Sequence, residues 1–121
     1  MNRTARHELA ERTFASRHVH PPSRWVRAST TSPFDLVVFR PEDDHLRATF
    51  VEIKTAQGRR SSDLSESEMD FGQFAETHGC PYVIARYRVV GTEVTAEELY
   101  RPFANPDARQ PEVELQFEVS K

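Results

Sequence analysis

FDLVVFRPEDDHLRATFVEIKT (34–55) is the stretch on which the fold turns. Two runs rich in β-branched and aromatic residues, 34–39 and 48–55, flank PEDDH (41–45), whose proline and aspartates favour a turn. The two runs therefore pair as an antiparallel hairpin. Opposed residues in such a hairpin have positions with a constant sum, and a turn centred between Asp43 and Asp44 sets that sum at 87. Asp35 and Glu52 satisfy it, so the register places two carboxylates across from one another on one face, about 5 Å apart at Cβ. Alternation along the strand brings Lys54 to the same face and turns Val51 and Ile53 to the other, to pack beneath a helix.

Like charges directly opposed destabilise a sheet, so this register calls for a compensating cation. Hard oxygen ligands from Asp35 and Glu52, completed by the Ile53 backbone carbonyl, water and a phosphate oxygen, suit Mg²⁺ or Mn²⁺. Such an ion lowers the pKa of bound water and polarises a phosphoryl group. Lys54 would then position the attacking water or help to deprotonate it, and would stabilise the transition state. An E-x-K strand taken alone reads more readily as the wet face of an amphipathic strand. The conjunction of an aspartate in an apolar strand, a compact turn and this register is what points to chemistry.

Outward from the hairpin, residues 4–18 carry Ala10 and Phe14 at helical spacing, and Pro21-Pro22 forbids continuation. RWVRA (24–28) reads as a short strand. Downstream, AQGRRSSD is a loop, and Ser65 with Glu68 forms a capping box that opens a helix whose apolar side is Met69, Phe71, Phe74 and Ala75. Gly79 and Pro81 stop it. YVIARYRVV (82–90) is a strand, parallel to 48–55 because the long connection permits a right-handed crossover. Thr95 and Glu98 repeat the capping-box pattern and predict a short helix, residues 102–111 form a proline-rich connection, and VELQFEV (113–119) alternates as a last strand. The expected order is α-β-β-β-α-β-α-β, a mixed β-sheet flanked by helices in one α/β domain spanning 1–121.

The chain has 121 residues and a net charge of −3, which excludes a wholly basic nucleic-acid coat. Charge is unevenly placed: residues 1–30 hold six arginines against Glu8 and Glu11, a segment able to face phosphates or simply water. The single cysteine, Cys80, reads as a small buried residue, and the chain lacks paired Cys/His zinc spacings. His7, His18, His20, His45 and His78 read as surface or capping groups rather than ligands. The absence of a long apolar run or signal-peptide core predicts a cytoplasmic protein without membrane partners.

SPFDLVVF, FVEIKT, LSESE opening a helix and YVIARYRV as the next strand together resemble the PD-(D/E)XK, or restriction-endonuclease-like, superfamily. Among its branches the pattern is most similar to the VRR-NUC domains and the NO VEIN C-terminal nuclease-like domains, over roughly residues 4–90. The resemblance implies a metal-dependent nuclease, with Asp35 and Glu52 as metal ligands and Lys54 as the catalytic lysine. Proline stands two residues before Asp35 rather than immediately before it. Glu68 falls where the branches place a polar helix-start residue, although capping explains it. Many members add a glutamate from the first helix. Glu11, about 60° from Phe14 on the helix, is preferred over Glu8, about 120° away.

The implied substrate is nucleic acid, DNA ahead of RNA, with Arg59, Arg60, Arg6 and Arg27 as backbone contacts. The chain would act as a homodimer or as a subunit of a larger nucleic-acid-processing assembly. Two rival readings come from other classes. One is a nuclease-fold module that binds nucleic acid or a protein without cutting; the other is an interaction subunit presenting an acidic helix through Glu66, Glu68, Asp70 and Glu76.

Overall fold

Seven elements follow one another in the computed structural model, which describes residues 3–56 and 64–104. They are α1 (Arg3–His18), β1 (Arg24–Arg27), β2 (Leu36–Glu42), β3 (His45–Ala56), α2 (Glu66–Thr77), β4 (Tyr82–Val90) and β5 (Glu93–Tyr100). The five strands form one mixed sheet in the order β1-β2-β3-β4-β5. All neighbours are antiparallel except β3 and β4, which run parallel across the α2 crossover.

The β2–β3 hairpin closes with two residues, Asp43 and Asp44, between the pair Glu42–His45. Asp43 takes the left-handed conformation, φ 45°, that tight hairpin turns demand and that aspartate tolerates. Every pair from Leu36–Val51 to Glu42–His45 has positions summing to 87, the register expected from the turn.

That register sorts the side chains by face. Leu36, Val38, Val51, Ile53, Val83, Ala85, Tyr87 and Leu99 form one buried cluster with Ala10 and Phe14 of α1. Full burial of such large apolar side chains contributes about 1.5–3 kcal/mol each. The opposite face is aromatic: Phe71 of α2 lies 5.1 Å from Phe34 and 4.8 Å from Phe50, ring centre to ring centre, with Tyr82 alongside.

Helix α2 begins as expected, with Ser65 and Glu68 exchanging both capping-box hydrogen bonds. Of its expected apolar side, Ala75 is buried and Phe71 packs against Phe34 and Phe50. Met69 and Phe74 are exposed, and the helix seats itself through Ala75 and Gly72, the latter against Phe103 and Tyr82. Absence of a side chain at Gly72 makes room for Phe103 and Tyr82 beside the Phe71 contact. Glu76 is not part of an exposed acidic face either. Its side chain is 6% exposed and pairs with Arg101.

The helix expected from Thr95–Glu98 is strand β5. Gly91, at φ 62°, turns the chain so that Glu93 pairs with Val90, and backbone pairing along β4 outweighs the local capping pattern. Leu99 is thereby buried, and a bulge between Arg88 and Val89 adjusts the register. Residues 57–63, expected as a loop, and 105–121, including the expected strand 113–119, lie outside the described residues. Among the described residues no helix is long and apolar enough to cross a membrane.

Candidate active site

Where β2 begins, the ladder to β3 falls out of step. Asp35 N–H donates to Val51 C=O at 2.9 Å, one residue away from the pairing below it. Asp35 meets Glu52 side chain to side chain, as the register predicted, but its carboxylate is not confined to that face. Its carboxylate turns into the gap between the strands, where Oδ2 accepts the Ile53 N–H at 2.6 Å. Just upstream, the Pro33 carbonyl accepts a hydrogen bond from the Tyr82 hydroxyl at 3.0 Å. Asp35 thus sits between the two faces and reaches groups on both.

On the α1 side, Asp35 Oδ1 lies 3.1 Å from His7 Nε2. Glu11, one helical turn after His7, places Oε2 3.6 Å from the same nitrogen. Glu11 is almost fully buried, and Arg27 of β1 answers its charge with Nε at 3.0 Å from Oε1. Glu8 is exposed, as the helical geometry predicted.

On the α2 side, Glu52 and Lys54 share a face, with Lys54 Nζ 3.1 Å from Glu52 Oε2 and 3.4 Å from Glu68 Oε1. Glu68 is therefore more than a cap. The same Oε1 that accepts the Ser65 N–H also faces the lysine. These groups line one open cleft of about 550 Å³ between the N-terminal halves of α1 and α2 and the end of β3.

Asp35, Glu52, Glu68 and Glu11, with the exposed Glu8 at the rim, line a cleft whose permanent cations among the described residues are Lys54 and Arg27. The imbalance is met by protons. Burial, a hydrogen bond with Glu68 and the neighbouring Asp35 push the Glu52 carboxyl up to about 9, so that it holds its proton at neutral pH. Burial also disfavours the Asp35 charge, but hydrogen bonds with His7, Glu52 and the Ile53 N–H hold this carboxyl below its ordinary value. His7 is raised by its bond to Asp35, and Glu11 is raised by burial against the pull of Arg27. Burial works against the Lys54 charge too, yet Glu52 and Glu68 raise its pKa overall, which makes it an ammonium donor rather than a base.

Asp35, Glu52, Lys54 and Glu11 are brought together, Ile53 joins them through its backbone, and Arg27 stands at the cleft as the partner of Glu11. Arg6 is on α1 and does not line the cleft, while Arg59 and Arg60 lie outside the described residues. His7 was missed as a site residue. Its spacing to Glu11 on α1 was the available signal, because residues four apart share a helix face. The capping role expected of the histidines holds for His78, whose Nδ1 lies 2.8 Å from Phe74 C=O. Cys80 is half-buried and free.

A divalent cation fits this donor set. Carboxylates in excess, two of them buried and one kept neutral by a proton, form an environment in which a dication replaces protons and relieves repulsion. Compared with protein-family models, curated proteins and solved structures, the chain matches none.

Proposed function

We propose that this chain is a divalent-metal-dependent phosphodiesterase of the PD-(D/E)XK type, which cleaves nucleic acid, DNA ahead of RNA, using Mg²⁺ or Mn²⁺. The observation that carries the reading is the convergence of Asp35, Glu52 and Lys54 on one open cleft. A hairpin shaped for stability alone would place apolar groups there, since buried carboxylates without a partner cation cost free energy. The order α-β-β-β-α-β over residues 3–90, with the lysine strand parallel to the strand after α2, agrees with the restriction-endonuclease-like plan that the motifs resemble.

Asp35 and Glu52 would hold the ion, with the Ile53 carbonyl and Glu11 as further oxygen donors. When bound, the ion supplies Lewis-acid polarisation of a phosphodiester and a lowered pKa for water. The chain's own residues do the rest. The Ile53 N–H fixes the orientation of Asp35, and Glu68 holds the Lys54 ammonium over the cleft as a donor to the attacking water and to the charge that develops on phosphorus-bound oxygens. Arg27, half-exposed at the rim, offers a phosphate contact.

The test is incubation of the purified chain with supercoiled plasmid and with labelled single-stranded and branched DNA, in Mg²⁺, Mn²⁺ or EDTA. Cleavage should require metal and should fall by about 10²-fold or more in Asp35→Ala, Glu52→Ala and Lys54→Ala. Full activity in the Asp35 or Glu52 variant overturns the assignment. Binding without cleavage in every condition favours the non-catalytic module instead.

A further inference from the structure

We infer that His7 supplies a nitrogen ligand to the divalent ion of this cleft, and that the ion held there is Mn²⁺ in preference to Mg²⁺. The inference rests on the metal-dependent reading above, to which it adds a ligand and the identity of the ion.

The geometry comes from three elements. His7 and Glu11 stand one turn apart on α1, and Asp35 is brought to them by the break in the β2–β3 ladder. One donor atom from each of these residues lies within 4.8 Å of the others. His7 Nε2 is 3.1 Å from Asp35 Oδ1 and 3.6 Å from Glu11 Oε2. In an octahedron with bonds of about 2.0–2.1 Å, adjacent ligands are about 3 Å apart and opposite ones about 4.2 Å. Both distances from His7 Nε2 are therefore close to the spacing of adjacent ligands around such an ion.

The second carboxylate oxygens of Asp35 and Glu11 are committed elsewhere, which leaves Asp35 Oδ1 and Glu11 Oε2 beside His7 Nε2. Asp35 Oδ2 is taken by the Ile53 N–H, and Glu11 Oε1 by Arg27. The His7 ring is about one-third exposed, so it reorients toward an ion without repacking the core. An imidazole nitrogen discriminates between cations. Mg²⁺ keeps oxygen ligands and several waters, whereas nitrogen donors favour first-row transition ions.

The test is electron paramagnetic resonance of Mn²⁺ bound to the full chain, with Mg²⁺ as competitor and pulsed detection of directly coordinated nitrogen. His7→Gln removes the ligand nitrogen and keeps a donor for Asp35. The parent should show nitrogen coupling and bind Mn²⁺ more tightly than Mg²⁺. His7→Gln should lose the coupling and about tenfold or more in Mn²⁺ affinity, with Mg²⁺ affinity little changed.

Mn²⁺ bound without nitrogen coupling, and with unchanged affinity in His7→Gln, overturns the inference and leaves an all-oxygen site at Asp35 and Glu52, consistent with the proposed function. Coupling that persists in His7→Gln assigns the nitrogen to another histidine and also overturns it. Binding of neither ion by the parent overturns both this inference and the metal-dependent reading.

Discussion

At the residue scale, Glu52 concentrates the energetic tension of the site. Its folded-state pKa is raised from an ordinary 4.5 to about 9 by burial, with the hydrogen bond to Glu68 and the charge of Asp35 adding to it. A raised pKa means that the fold binds the proton more tightly than the unfolded chain does. The resulting stabilisation is complete below about pH 4.5 and is lost progressively as pH rises toward 9. Asp35 runs the other way, since its lowered pKa adds stability above its ordinary 3.8 that is lost as pH falls. In EDTA, Glu52→Gln should therefore melt above the parent at pH 8, and the gap should close near pH 4.5. Parallel melting profiles for the two proteins over that range would show that Glu52 ionises normally. Glutamine keeps the shape and hydrogen-bonding capacity of the protonated acid, which isolates the charge as the variable.

At the scale of elements, α2 shows how one small residue sets a helix's seat. A Cβ at Gly72 would stand 2.5 Å from Phe103 Cε2 and 2.9 Å from Tyr82 Cδ2, well inside contact distance. Alanine at an unconstrained helix position gains about 1 kcal/mol over glycine. Overpacking of this kind typically costs about 1–3 kcal/mol, so the steric loss should win. Thermal unfolding of Gly72→Ala should show a lower midpoint, and an equal or higher midpoint would mean that Phe103 moves aside without cost. Because α2 also carries Glu68 toward Lys54, the same displacement should reach the cleft.

At the scale of the whole molecule, the cleft joins α1, β1, the head of β2, β3 and the start of α2, so a bound cation ties together elements far apart in sequence. A ligand that binds only the folded chain stabilises it by about 2.7 kcal/mol at a concentration one hundred times its Kd. For a chain of 121 residues that corresponds to a rise in melting midpoint of about 10 °C. Mn²⁺ should produce such a rise, EDTA should reverse it, and Asp35→Asn should greatly reduce it. A midpoint indifferent to metal in all three cases would count against any cation site in this cleft. The two sheet faces contribute differently: the α1 face is a continuous apolar cluster, whereas the α2 face gives way from aromatic rings to Glu52 and Lys54 as β3 approaches the cleft.

Features decided over a few residues were legible in the sequence alone. The turn at Asp43-Asp44 set the hairpin register, the spacing to Phe14 separated Glu11 from Glu8, and Ser65 with Glu68 marked the start of α2, because turn geometry, helical period and capping act locally. The same local logic misread Thr95–Glu98, where an open β4 edge and the Gly91 turn supplied pairing that a four-residue pattern does not encode. Only the tertiary structure brought His7 against Asp35, tied Arg27 to Glu11, and set the Asp35 carboxylate on the Ile53 N–H. Those contacts depend on how a helix crosses a sheet and on where a ladder breaks, and both are settled by packing across the whole core rather than by the residues on either side in the chain.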